Sequence, residues 1–335
     1  MKQYIEAIAN RQNLTAGQAQ EVFTRMVEGA MDPVEIAALL IGLRTKGETR
    51  EEISGAARAL RAAALPFARP DGHIADSCGT GGDGAGTINV STAAAFVCAE
   101  LGIPMAKHGN RSISSKCGSA DVLESLGVRI DASPETARRC LDEANICFFF
   151  APQYHSGLRH AGPVRRALGI RTVMNVLGPL VNPAAPSHQV MGVYDPALCG
   201  VLAGVLRDLG CQSALVVHGS GLDEIAVHGP TVGAFYADGI VEELYITPAD
   251  LGLKEYALTQ LVGGSPEENR DILLAIFDGR GTDAQNAAVA VNAGAVARVF
   301  RKAATLKEGM EMAFAVLRSG ACTERLSRLV ALSHA

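Results

Sequence analysis

An α/β fold is what this sequence predicts: a small N-terminal helical domain, then a larger α/β domain with a mostly parallel sheet and surrounding helices. Three observations lead there. Residues 1–65 carry helix-start signals and a 3.6-residue periodicity, with no strand pattern. Beyond a linker at 66–72, short apolar runs alternate with helical segments, the sign of parallel strands joined by helical crossovers. From Pro266 onward the chain is Ala-rich, apolar and helical in pattern.

In the N-terminal unit, Thr15 and Gln18, Asp32 and Glu35, and Thr49 and Glu52 are spaced as capping boxes, each satisfying backbone N–H groups that a first helical turn leaves free. Pro33 stands one place after its cap, where a missing N–H does no harm. Ala19, Val22, Phe23 and Met26 recur at i, i+3, i+4, i+7; so do Ile36, Leu39, Leu40 and Leu43, and then Ile53, Ala56, Ala57 and Leu60. Such stripes read as core, and the pattern leaves open whether one face meets a second copy of the chain. Strands are expected at 73–78, 103–107, 146–151, 189–194 and 214–218, and helices at 92–101, 120–126, 134–144 and 196–209. Asp238-Gly239 between 232–237 and 240–246 reads as a hairpin turn, an antiparallel addition at one edge.

A chain of 335 residues holds roughly two domains of about 150 residues each. Hydrophobic residues make up 48% and charged ones 19%, which supports a large core and argues against disorder. The net charge is −5 and no block gathers Lys or Arg, so nucleic acid is a poor partner and any anionic ligand needs a local site. No apolar run reaches the ~18 residues of a membrane span, and the N-terminus lacks a signal core. Eight cysteines, none in a C-x-x-C pair, read as reduced thiols filling the core of a cytoplasmic protein. Cys78 and Cys117 flank the motifs below, but no activating base is paired with them.

Residues 76–92 read DSCGTGGDGAGTINVST, with five glycines in the eight positions from Gly79 to Gly86. A strand leads in and a helix leads out. Glycines let backbone N–H groups approach a bulky ligand, and the helix N-terminus favours an anion, so this loop is a phosphate cradle. Gly79, Gly81 and Gly84 satisfy G-x-G-x-x-G, but a dinucleotide site wants an acid ending the next strand, which instead ends in Lys107 and His108. A Walker loop fails because Ala85 stands where a lysine should follow the last glycine. The window 107–121, KHGNRSISSKCGSAD, adds cations at Lys107, Arg111 and Lys116 and neutral donors at Asn110, Ser112, Ser114, Ser115 and Ser119. It suits a second phosphate group, although Ser119 could simply cap the following helix. Two cradles imply a ligand with two phosphate sites.

GTGGDG with TxNxST, KHGNRxxSSxxGSAD and APxxHxxxRHAxPVRRxLGxRTxxNxLGPLxNP occur in that order, and together the sequence resembles the anthranilate phosphoribosyltransferase family over essentially its whole length. The resemblance implies a helical domain at 1–70, rejoined by 163–183, an α/β domain at 71–335, an active site in the cleft between them, and a homodimer joined through the helical domain. It implies that Gly79, Gly82, Asp83, Thr87, Asn89, Val90, Ser91 and Thr92 bind phosphoribosyl pyrophosphate (PRPP), continued by Lys107, His108, Gly109, Asn110, Arg111, Ser112, Ile113, Ser114, Ser115 and Ser119. Two magnesium ions would sit on Ser91, Asp223 and Glu224, and Gly79, Asn110 and Arg165 would lie near anthranilate. Two stretches depart from the family: Ser156-Gly157-Leu158-Arg159, where Pro-Ala-Met-Lys is more usual, and Met174, where Phe is common.

The residues themselves fit that reading. Displacing pyrophosphate from an anomeric carbon demands stabilisation of the leaving anion. Asp223 and Glu224 follow an apolar strand and a Gly-Ser-Gly turn; read alone they are either a helix-capping pair or a hard-cation site, and two phosphate loops nearby favour Mg²⁺. The guanidinium of Arg165 suits a carboxylate by its planar fork. His108 and His155 are candidate proton acceptors, with positioning or packing as the plainer role. The rival reading is a nucleoside phosphorylase of the same superfamily, which needs neither a second phosphate cradle nor an acid pair.

Overall fold

The computed structural model describes residues 1–112 and 116–335. Four helices come first, α1 (Lys2–Ala9), α2 (Ala16–Val27), α3 (Pro33–Lys46) and α4 (Arg50–Ala62). The α/β part then runs β1 (Ala75–Gly79), α5 (Val90–Glu100), β2 (Met105–Gly109), α6 (Ser119–Ser125), α7 (Pro134–Ala144) and β3 (Ile146–Phe150). Short helices α8 (Ala151–Tyr154), α9 (Gly162–Leu168) and α10 (Met174–Leu177) lead to β4 (His188–Gly192), α11 (Leu198–Asp208) and β5 (Ser213–Gly219). The hairpin β6 (Thr231–Ala237) and β7 (Ile240–Ile246) precedes α12 (Pro266–Phe277), α13 (Asp283–Val299), α14 (Leu306–Ser319) and α15 (Cys322–Ser333).

All three capping boxes form, at Thr15, Asp32 and Thr49, with Pro33 at the head of α3. The three predicted stripes are buried throughout. The sheet order is β3-β2-β1-β4-β5-β6-β7, parallel from β3 to β5 and antiparallel from β5 to β7. The expected hairpin is therefore at the edge, where β7 carries Glu242 and Glu243 outward in the manner that blunts an unpaired strand.

Helices cover both sheet faces, which is why every residue of β4 is buried, His188 and Gln189 included. Neighbouring strand residues go to opposite cores: Val190, Leu215 and Val217 pack with α5, α7 and α13, whereas Met191, Ala214 and Val216 pack with α11 and the N-terminal helices. The second of these clusters also takes in Ala161, Val164, Val173, Met174, Leu177 and Leu180, so the segment around α9 and α10 packs with α1–α4 despite its distance along the chain. Element ends differ from the sequence reading by one or two residues. Chiefly, α5 begins at Val90, since Asn89 is its cap position, and α6 begins at Ser119, with Gly118 before it.

Candidate active site at the carboxyl ends of the strands

The chain leaves β1 for β2 and β3 on one side and returns to β4 on the other, so the carboxyl ends of β1 and β4 flank a topological switch point, where open α/β sheets bind ligands. Gly79 ends β1 and Gly192 ends β4, paired across the sheet. The loop after β5 lies directly over both. A Cβ on Gly192 would stand 1.5 Å from the Asp223 backbone oxygen, and one on Gly79 would stand 2.1 Å from Asp223 Oδ2. Only glycine permits this approach, and through it an acid from the loop after β5 reaches the loop after β1. Gly81, Gly82, Gly84 and Gly86 all have positive φ, so the loop turns where other residues would be strained.

Two hydrogen bonds fasten the acids. The Gly81 N–H donates to Asp223 Oδ2 at 2.7 Å, and the Ser91 N–H, in the first turn of α5, donates to Glu224 Oε1 at 3.2 Å. Burial pushes both carboxyls above the usual carboxylate range; Asp83 adds to the effect at Asp223, and Asp223 adds to it at Glu224. Lys107 opposes it at Glu224. This lysine is 2% exposed, with Nζ donating to Ser77 O at 2.7 Å and Ser91 Oγ at 3.4 Å. Burial also raises Asp76, to about 6, against the pull of Lys107 and a 2.9 Å bond from Asn182 Nδ2. No cluster of three or more His, Cys, Asp or Glu placed to hold a metal occurs among the described residues. Two carboxylates and a hydroxyl nonetheless fit a hard cation that takes its remaining ligands from phosphate and water.

In the second window, the Arg111 guanidinium bonds Asp121 Oδ1 at 3.0 Å and Glu124 Oε2 at 2.7 Å, and the Ser112 N–H bonds Asp121 Oδ2 at 2.9 Å. Ser119 is not the cap of α6 but its first residue, and its hydroxyl donates to Asn110 O at 3.4 Å. Gly109 must be glycine, since a Cβ would meet Ser119 Oγ at 2.1 Å. Ile113, Ser114 and Ser115 lie outside the described residues.

The glycosyl transferase family a/b-domain model matches residues 71–323, and the family's helical bundle domain matches residues 2–64. A relative from Sorangium cellulosum named anthranilate phosphoribosyltransferase is 55% identical, covering 100% of this chain and 96% of that protein. This chain belongs to the anthranilate phosphoribosyltransferase family. Among solved structures, the Thermus thermophilus family member superposes with a TM-score of 0.95 at 40% identity, covering 99% of each chain. The Saccharomyces cerevisiae member in complex with PRPP and Mg matches with a TM-score of 0.89 at 25% identity, covering 99% of this chain and 97% of that one.

Within this family frame, the residues expected to bind PRPP divide between the two loops. Gly79, Gly82, Asp83 and Thr87 lie on the glycine loop, and Asn89 through Thr92 on its exit into α5. Arg165, in α9, is partly buried, and burial lowers its pKa; no hydrogen bond or ion pair holds its guanidinium among the described residues. His108 and His155 sit ring to ring, centroids 5.2 Å apart. Burial pushes both down, to about 3 and about 4. Gly178 O accepts from His108 Nδ1 at 3.1 Å, which fixes the neutral tautomer. Both imidazoles are thus weak bases. Burial lifts the Cys78 thiol to about 12, so it is no nucleophile at neutral pH. As for the departures, Gly157 packs against Val27, where a Cβ would stand 2.6 Å from the backbone oxygen, and Met174 is buried in the helical cluster.

Sequence reasoning passed over two buried asparagines. Asn292 in α13 bonds both the N–H and the C=O of Ile225, at 2.9 and 3.1 Å, and so steadies the loop carrying Asp223 and Glu224. Asn269 in α12 donates to Asn89 Oδ1 at 3.1 Å. For Asn292 the available signal was an amide within an apolar stretch of helix, since a buried polar group demands a partner; Asn269, among the charged residues that open α12, carried no such signal. No helix among the described residues is long and apolar enough to cross a membrane.

Proposed function

We propose that this chain transfers the 5-phosphoribosyl group from PRPP to the amino group of anthranilate, giving N-(5-phosphoribosyl)anthranilate and pyrophosphate, in tryptophan biosynthesis. One observation carries the reading: the glycine loop, the buried Lys107 and the Asp223–Glu224 pair converge at one strand end. The relatives' names and the yeast complex with PRPP and Mg support the same substrates and the use of Mg²⁺.

In this reading the pyrophosphate end of PRPP lies on the loop from Gly79 to Thr92, under the N-terminus of α5, and Lys107 faces its charge. Ser91, Asp223 and Glu224 would hold Mg²⁺, two ions in all, which supplies charge neutralisation to the leaving pyrophosphate. His108 through Ser115 and Ser119 take the rest of PRPP, Arg111 by exchanging its carboxylate partners for phosphate. The bond from the anomeric carbon to the pyrophosphate oxygen breaks as the amine nitrogen bonds to that carbon; the proton of the resulting cationic amine then passes to solvent water. Because an aromatic amine is already neutral near pH 7, His108 and His155 serve as neutral packing and positioning groups. The unpaired Arg165 guanidinium receives the anthranilate carboxylate, beside Gly79 and Asn110.

Residues 1–70 with 163–183 form the helical domain in this proposal, supported by their shared apolar cluster, and 71–335 the PRPP-binding domain. Homodimerisation through the helical part is supported by Val34, 77% exposed, and Ile170, 54% exposed. The eight free thiols suit a cytoplasmic location.

The test is the loss of anthranilate fluorescence on mixing with PRPP and Mg²⁺. Turnover supports the reading; phosphorolysis of a nucleoside without such turnover would replace it with the phosphorylase. Arg165→Ala should lower kcat/KM for anthranilate by roughly 10- to 150-fold, the worth of one charge-assisted contact, and leave PRPP capture nearly unchanged. Equal losses for both substrates would make Arg165 a structural residue.

A further inference from the structure

The motif LGIRT contains a cation that the site described above does not use. Arg171 lies in the connection between α9 and α10, a short way beyond Arg165. Its Nη2 donates to the backbone oxygen of Gly82, in the middle of the glycine loop. The guanidinium also lies over the Tyr194 ring, with Cζ 4.1 Å from the centroid. A Cβ on Gly82 would come 3.4 Å from Nη2, so the flat group rests on the glycine itself. No carboxylate pairs with Arg171 among the described residues.

The neighbouring bonds make this a junction. Tyr194, just past β4, donates its N–H to Thr80 Oγ1 at 3.2 Å, and the Thr80 N–H donates to Gly192 O at 2.9 Å. Asp223 holds the loop from the other side through the Gly81 N–H. On its own chain Arg171 is firmly based: Thr172 is buried and bonds Asn175 at 3.0 Å, while Gly169 caps α9 through the Arg165 oxygen at 3.1 Å. Thus the loop is pinned between an acid from the loop after β5 and a cation on the segment that carries Arg165. A planar guanidinium can stack on a ring and donate in its plane at once, which an ammonium does less well.

We infer that Arg171 is a positioning residue, a clasp that fixes the glycine loop to β4 and to the α9–α10 segment and so sets the geometry in which the pyrophosphate end of PRPP is received. The inference rests on the proposed function for its substrate, but the clasp itself exists in the free protein and is tested there. Hydrogen exchange of loop amides 80–86 in ligand-free protein should accelerate roughly 10-fold in Arg171→Gln, as expected when a charge-assisted contact to an exposed loop is lost. Arg171→Lys, which keeps a donor and a charge, should restore part of the protection, and Tyr194→Leu should lose part of it. In steady-state assays Arg171→Gln should raise the KM for PRPP by about 10-fold, with kcat and the anthranilate KM changed less and Tm unaltered. Unchanged exchange would overturn the clasp. Faster exchange with an unaltered PRPP KM would show that the clasp does not position substrate. If the wild-type protein shows no transfer at all, the functional reading fails, while the exchange experiment still decides whether Arg171 holds the loop.

Discussion

The loops after β1 and β2 leave neighbouring parallel strands at the same end of the sheet, yet they hold charge in different ways. After β1 the cradle is backbone, glycines with positive φ and the first turn of α5, joined by one side chain from β2, Lys107, whose ammonium is buried and bonded only to neutral oxygens. After β2 the cation is Arg111, 46% exposed in its side chain and already paired with Asp121 and Glu124. Exposed ion pairs of this kind are worth about 0.2–1 kcal/mol, so a phosphate can displace the carboxylates readily. In the first cradle the cation, Lys107, carries no carboxylate hydrogen bond among the described residues, while the Gly81 and Ser91 N–H groups are held by Asp223 and Glu224; in the second the cation itself has to trade partners to receive an anion.

Three substitutions put that contrast at risk, in falling order of expected effect. The largest belongs to Gly192→Ala. The added Cβ would collide with backbone at 1.5 Å, leaving no side chain to yield, so the loop bearing Asp223 must move. Activity should fall by at least about 10²-fold, the usual cost of misplacing one electrostatic stabiliser, and Tm should drop. Retention of both would mean that the close approach at β4 is not needed.

Lys107→Met comes next. It removes the buried charge while keeping the volume, and kcat/KM for PRPP should fall by about 10²-fold. A stability signature accompanies it. Asp76 already titrates near 6 instead of 3.8, held up by burial and restrained by Lys107. A carboxyl with a raised folded-state pKa contributes stability that is fully present below the unfolded value and is lost as pH rises through the folded one. In wild type that loss spans the interval from 3.8 to about 6. Without Lys107 it should extend to higher pH, visible as a Tm that falls further above pH ~6 than in wild type, where the raised Glu224 carboxyl already prolongs the loss. Identical pH profiles would deny Lys107 its part in the electrostatics.

The smallest effect belongs to Arg111→Ala. Stability should change by less than about 1 kcal/mol because the pairs are exposed, while the KM for PRPP rises by less than ~10-fold. A loss equal to that of Lys107→Met would erase the distinction between the two cradles.

These differences also mark what could be read from the sequence. Capping boxes at Thr15, Asp32 and Thr49 and the apolar stripes are local, so the helical unit was legible almost residue by residue. The strands and the edge hairpin were legible for the same reason, as periodicity and turn chemistry. The glycine loop announced an anion, and the spacing of the motifs announced the family. What stayed hidden was long-range pairing. Nothing local shows that Asp223 would bond Gly81, 142 positions away, or that Asn292 would bond Ile225, 67 away. The engagement of Arg111 with Asp121 and Glu124, the burial that keeps His108 and His155 neutral, and the reach of Arg171 to Gly82 were hidden likewise. Each depends on which surfaces the fold brings together.

The central claim is that Asp223 and Glu224 hold Mg²⁺ against the pyrophosphate of PRPP. Its most direct test is the Mg²⁺ dependence of turnover in the double variant Asp223→Asn, Glu224→Gln, which keeps shape and removes both charges. Folding should persist, and without metal the variant should melt no lower than wild type, because two buried, mutually repelling carboxylates are replaced by neutral amides. Turnover at ordinary Mg²⁺ should fall by about 10²–10³-fold for each charge that stabilised the leaving group, with partial recovery as Mg²⁺ is raised. Near-normal turnover with an unshifted Mg²⁺ requirement would contradict the account and return the two acids to the role of a capping pair.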